Sequence, residues 1–192
     1  MVLLFQARGM TLFQIGLLLG RHSATIVVLE LPTGGVADAI GRKRAALLAQ
    51  GLYLASTVVF LVAFALPVFA LGAVLMGSAR ALASGALDAW FVDALLAHDA
   101  NYDLQPSLAH AGTLTILGLS LGSLAGGVLP DLVGGALPAD GTAILTPLSL
   151  PFLASFVVQL ATIAVIAAFV REVRPAGAGE GAAPAGLTAV GP

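Results

Sequence analysis

Residues 31–45 read LPTGGVADAIGRKRA, and the chain on either side of them is of a different character. Asp38, Arg42, Lys43 and Arg44 fall within seven positions, among Gly34, Gly35 and Gly41, in a chain that is 59% hydrophobic and only 9% charged. Soluble domains carry about a quarter charged residues, whereas the mean hydropathy here is +1.03. A chain of 192 residues cannot enclose that much apolar surface away from water. In lipid the surface needs no enclosure. A bilayer core about 30 Å thick is crossed by roughly 20 helical residues, so the charged stretch reads as a connection between two membrane-spanning helices.

Outward from it, the sequence predicts an all-α polytopic bundle with five complete spans, over roughly 14–33, 45–66, 69–88, 108–129 and 149–170. Pro67 separates the second span from the third, and LPDLVGGALPADG separates the fourth from the fifth. Pro147 and Pro151 suit the first turn of the last span, where a missing N–H costs nothing. The opening MVLLFQARG has neither a basic leader nor a small-residue cleavage site, and reads as the last turn of a helix whose beginning is missing. The bundle is expected over 1–174. Residues 175–192, rich in Pro, Gly and Ala, read as a flexible cytoplasmic tail or linker.

Charge placement sets the expected orientation. Arg42, Lys43 and Arg44 follow the first complete span and Arg171 and Arg174 the last, five of the eight basic residues. Four spans lie between the two groups, which puts both on one side, and an excess of Lys and Arg marks that side as cytoplasmic. The acidic 88–106 connection falls on the same side. With no cysteine, disulfides and thiolate metal sites are excluded. No long basic run points to nucleic acid, and no glycine-lysine phosphate loop points to nucleotide-driven transport.

The stretch GGVADAIGRKR, 34–44, resembles the signature that the major facilitator superfamily carries between its second and third transmembrane helices. Gly34, Asp38, Gly41, Arg42 and Lys43 match that pattern, while Ala39 stands where a basic residue is usual. LELPTG, 29–34, and SGALDAWFVDAL, 84–95, are similar to the efflux-type branch. The resemblance covers nearly the whole chain up to Pro175. It implies a gating loop whose contacts hold the cytoplasmic side closed in one state and break in the other. Physically, Asp38 and Arg42 are spaced to lie side by side on one helical turn, and Gly34 and Gly41 allow a tight turn or close approach. The alternative is a loop whose cations only set topology.

GLSLGSLAGG, 118–127, places Gly118, Gly122 and Gly126 every four residues, a flat stripe for close helix packing. With Gly127 it resembles the family's antiporter motif, Ser123 standing in place of proline. Ionisable residues inside spans are costly and point to function. Glu30 is a candidate for proton coupling or for the gate's charge network. Arg21, nine residues earlier, lies on the opposite helical face, lining the cavity or snorkelling outward. Arg80 is similar to the family's fourth-helix arginine and is the stronger cavity candidate, although Gly85 falls one place late. Asp88 and Asp93 flank Trp90 in a structural role, and His98, Asp99 and Asp103 read as solvated charge.

The expectation is therefore the amino-terminal half of a secondary transporter exporting small molecules by alternating access with proton coupling. It is no enzyme, has no cofactor and no metal, and needs lipid and a second, missing half as partners. A non-transporting membrane fragment or scaffold is the alternative. A membrane enzyme fits less well, because Asp88, Asp93, Asp99 and Asp103 do not repeat one helical face.

Overall fold

The structure is a computed structural model that describes residues 1–133, 137 and 143–170, with the backbone alone at Leu31, Gly34, Val36, Asp38, Gly85 and Val133. Among the described residues six α-helices follow one another: α1 (Val2–Ala7), α2 (Leu12–Ile40), α3 (Arg42–Val62), α4 (Leu66–His98), α5 (Leu104–Val133) and α6 (Leu150–Phe169), the last preceded by a 3-10 turn at Pro147–Ser149. Five helices are long and apolar enough to cross a membrane, over Leu12–Glu30, Arg42–Val62, Leu66–His98, Leu104–Leu132 and Pro147–Phe169. Arg171, Arg174 and the 175–192 tail lie outside the described residues.

Five helices correspond to the five expected spans, but their ends differ, because helical backbone hydrogen bonding runs on past the charged positions. The 34–44 loop is not a loop: α2 continues to Ile40 and α3 begins at Arg42. The 88–106 connection is likewise mostly helix, because α4 runs through Asp88 and Asp93 to His98. Hydropathy locates only the part of a helix that sits in lipid, whereas backbone hydrogen bonding carries the helix on through the headgroup region. Pro67 lies in the first turn of α4 rather than between helices, and the connection is Ala63, Phe64 and Ala65. Pro147 and Pro151 occupy first turns, as expected.

Two prolines sit inside helices, Pro32 in α2 and Pro130 in α5. Proline removes one backbone hydrogen bond, a loss that membrane helices repair with hydroxyls and neighbouring chains. Beside Pro32 the Thr33 hydroxyl stands 2.7 Å from Leu29 O and 3.1 Å from Ala81 O, which joins the weakened turn of α2 to α4. At the other end of α2, Thr11 and Gln14 form a reciprocal capping box.

Helices α2, α3, α4 and α6 form the packed part of the bundle, and α5 rests on α6 and the 3-10 turn. Two apolar clusters close its two ends. Phe5, Phe60 and Phe69 anchor one, with ring centroids 5.3 and 4.5 Å apart. Alanines at 37, 45, 46, 49 and 86 make the other, where small side chains bring α2, α3, α4 and α6 close together. The outside is apolar too: Phe13, Leu119, Leu132 and Phe169 are each at least two-thirds exposed. Such a surface suits lipid.

Candidate functional site

The alanine end holds the charged signature. Gly41 joins α2 to α3 alone, at φ 93° and ψ 143°, a conformation open only to glycine. Its N–H donates to Ala37 O at 3.1 Å, and its carbonyl accepts from Ala45 N at 3.0 Å, so both helices are closed by one residue. This break puts Asp38 in α2 and Arg42 in α3, which overturns the expectation that they share one helical turn. The Asp38 side chain, and with it the proposed Asp38–Arg42 contact, lies outside the described residues. Gly34 makes no turn, since its backbone is interior to α2.

Arg42 reaches α4. Its Nη2 lies 3.1 Å from Asp93 Oδ2, and both side chains are part-exposed. Lys43 reaches α6, donating from Nζ to Ala167 O at 2.7 Å, in the last turn of that helix. A cation there meets the negative end of the helix dipole and an otherwise unpaired carbonyl. Two adjacent side chains at the start of α3 thus fasten three helices at one end. Arg44 is exposed.

Midway along the bundle lies a polar zone that the sequence reading missed. A cleft of about 240 Å³ is lined by Tyr53, Ser56 and Thr57 of α3, Met76 of α4, and Phe152 and Gln159 of α6, among others. Thr57 Oγ1 and Gln159 Nε2 are 3.0 Å apart, and Ser56 Oγ donates to Gly72 O at 2.9 Å. Arg80, one turn from Met76 on α4, is exposed and does not line this cleft. The signal was available: residues 53, 56 and 57 are one helical face of polar groups in an apolar span, and Gln159 is the lone amide of α6. A second, almost wholly apolar cleft of about 260 Å³ lies between α1, α2 and α4, with His22 in its wall.

Arg21, Glu30 and Arg80 are all exposed, and no ion pair joins them among the described residues. Arg21 and Glu30 are held apart by their place on opposite faces of α2.

The glycine stripe of α5 does not pack as expected. A methyl group added at Gly118, Gly122 or Gly127 would meet nothing within 4 Å, and one at Gly126 only Pro151 Cβ at 3.9 Å. The close approaches are elsewhere. A Cβ at Gly77 would stand 2.8 Å from His22 O and from Thr25 Cβ on α2, and one at Gly72 would stand 2.6 Å from the Phe60 ring. At the α4–α5 connection Asp99 accepts from Asn101 N at 2.9 Å and Asp103 from Gln105 N at 3.1 Å, which is turn and helix-start chemistry. Among the described residues no three metal-binding side chains come together.

Comparison with protein-family models, with curated proteins and with solved structures returns no match to this chain. The geometry therefore carries the functional argument by itself.

Proposed function

We propose that this chain is the amino-terminal half of a secondary active transporter of the major facilitator type, exporting small molecules by alternating access with proton coupling. The supporting observation is the single-residue joint at Gly41 followed by two contacts of opposite reach, Arg42 to Asp93 on α4 and Lys43 to Ala167 on α6. Half-exposed ion pairs are worth only about 0–1 kcal/mol, so they break and re-form without a large barrier. That suits a gate and is poor value for a purely structural fastening.

On this reading the Gly41 end is cytoplasmic, since Arg42, Lys43 and Arg44 cluster there. Glu30, at the edge of the apolar window of α2, carries the coupling proton. The exposed faces of α2 and α5 are covered by the second half. The test is energised export in cells that express the complete reading frame containing residues 1–192. Asp93→Asn should slow export several-fold at unchanged membrane abundance, and the exchange of Arg42 with Asp93 should restore part of it. Export unaffected by both changes refutes the gate.

A further inference from the structure

The cleft between α3, α4 and α6 has a polar point with aromatic walls beside it, and none of the side chains that line it is charged. The polar point is a pair across two helices. Thr57 Oγ1 stands 3.2 Å from Gln159 Oε1 and 3.0 Å from Gln159 Nε2, so one hydroxyl engages both ends of the amide. A primary amide has two N–H donors and two acceptor lone pairs. The hydroxyl uses at most one of each, and Gln159 makes no other hydrogen bond among the described residues. The part-exposed amide therefore keeps an N–H and an oxygen lone pair at the cleft wall.

From Gln159 the walls turn aromatic. Phe152 lies seven residues earlier on α6, two turns along the same face and about 10 Å away. Phe60 follows Thr57 by three residues on α3, and its ring meets that of Phe152 edge to face at 6.3 Å. Met76 of α4 adds a thioether, which packs well against rings. A cavity of about 150 Å³ takes benzene, so a cleft of about 240 Å³ has room for a two-ring body. Both α3 and α6 are apolar enough to cross a membrane. At such depth an unpaired charge costs on the order of a few kcal/mol, which an uncharged ligand avoids.

We infer that this cleft binds a small uncharged aromatic amide, its N–H and carbonyl paired with the Gln159 amide and its rings against Phe60, Phe152 and Met76. An amide presents a donor and an acceptor side by side, as Gln159 does, whereas a hydroxyl carries both on one atom. The assignment goes beyond the transporter reading and does not depend on it, because binding is measured without a transport step.

Residues 1–192 in lipid nanodiscs are titrated with 2-naphthamide by calorimetry, and protein-free nanodiscs give the share due to lipid alone. Saturable binding above that share is expected. 2-Naphthoate and 2-naphthylmethylammonium should bind at least about tenfold more weakly, since each carries an unpaired charge. 2-Methylnaphthalene, which keeps the rings and loses the amide, should be weaker by about tenfold, as loss of two neutral hydrogen bonds implies. Gln159→Met should erase the preference for the amide over the hydrocarbon, with helix content by circular dichroism showing that the variant is folded. Phe152→Ala should weaken both ligands together. The comparison of the four probes needs no variant, so it decides the matter even where Gln159→Met fails to fold. Absence of saturable amide binding, equal or tighter binding of either charged probe or of the hydrocarbon, or an amide preference that survives in folded Gln159→Met overturns the assignment.

Discussion

The Arg8 guanidinium donates to the carbonyl oxygen of Phe60 at 2.8 Å, although the two residues are 52 apart in the chain. The same group donates to Leu61 O and Ala63 O, each at 2.8 Å, and its Cζ lies 4.5 Å from the centre of the Phe64 ring. One planar cation thus closes the carboxyl end of α3, where the last carbonyls have no partner in the helix. Burial pulls the Arg8 pKa down, but an arginine so placed stays charged. Lys43 does the same for α6 at the opposite end of the bundle.

Arg8→Gln should therefore destabilise the bundle by about 2 kcal/mol, since hydrogen bonds to a charged group contribute about 1.5–3 kcal/mol. Arg8→Lys, a point charge without the fork, should recover less than half of this. Thermal unfolding in detergent micelles measures both. Equal stability of Arg8→Gln and the parent would remove the cap from the account.

Gly41→Ala should cost about 1–3 kcal/mol, because φ 93° with ψ 143° is strained for any residue with a Cβ. The same denaturation assay reads the loss. Gly35→Ala, six residues earlier in helical backbone with open space around it, should be neutral or slightly stabilising. The reverse ranking would place the joint elsewhere.

The glycines also separate packing from pattern. Gly77→Ala presses a methyl group against the His22 carbonyl and Thr25, and should loosen α2 from α4. Gly118→Ala meets open space and should leave the stability of residues 1–192 unchanged. Helix-pair disulfide trapping between α2 and α4, together with unfolding midpoints, distinguishes the two. A larger loss at Gly118 would mean that α5 packs through its stripe.

These contrasts show what the sequence makes legible. The spans were readable because lipid demands about 20 apolar residues per crossing. Their ends were not, because Asp38, Asp88 and Asp93 interrupt the apolar runs without interrupting the helical backbone. Gly34, Gly35 and Gly41 look alike in the sequence, and only the backbone angle singles out Gly41. Gln159 was visible as a lone amide in an apolar span, but its partner Thr57 was not, since nothing local links residues 57 and 159. Lys43 reads as one cation of a cluster until its acceptor, 124 residues away, is known.

Topology is checked by cysteine labelling, made simple because the chain has none of its own. Ala39→Cys, at the Gly41 end, should resist an impermeant maleimide in intact cells. Phe64→Cys, in the exposed α3–α4 connection, should react. The opposite pattern inverts the bundle.

Glu30→Gln should abolish export driven by a pH gradient while leaving substrate binding within about twofold, because the amide cannot carry a proton. Export that still collapses with the gradient in this variant would place the coupling proton on another group.

Reconstituted flux tests the proposed role as half of a gradient-driven transporter most directly. Proteoliposomes holding the complete reading frame should show saturable movement of a small organic ion when a proton gradient is imposed, and none when it is collapsed. Proteoliposomes holding residues 1–192 alone should show no such flux, because alternating access needs a second bundle to rock against. Gradient-dependent flux from residues 1–192 alone, or none from the folded complete protein with any probe of either charge, would contradict the account.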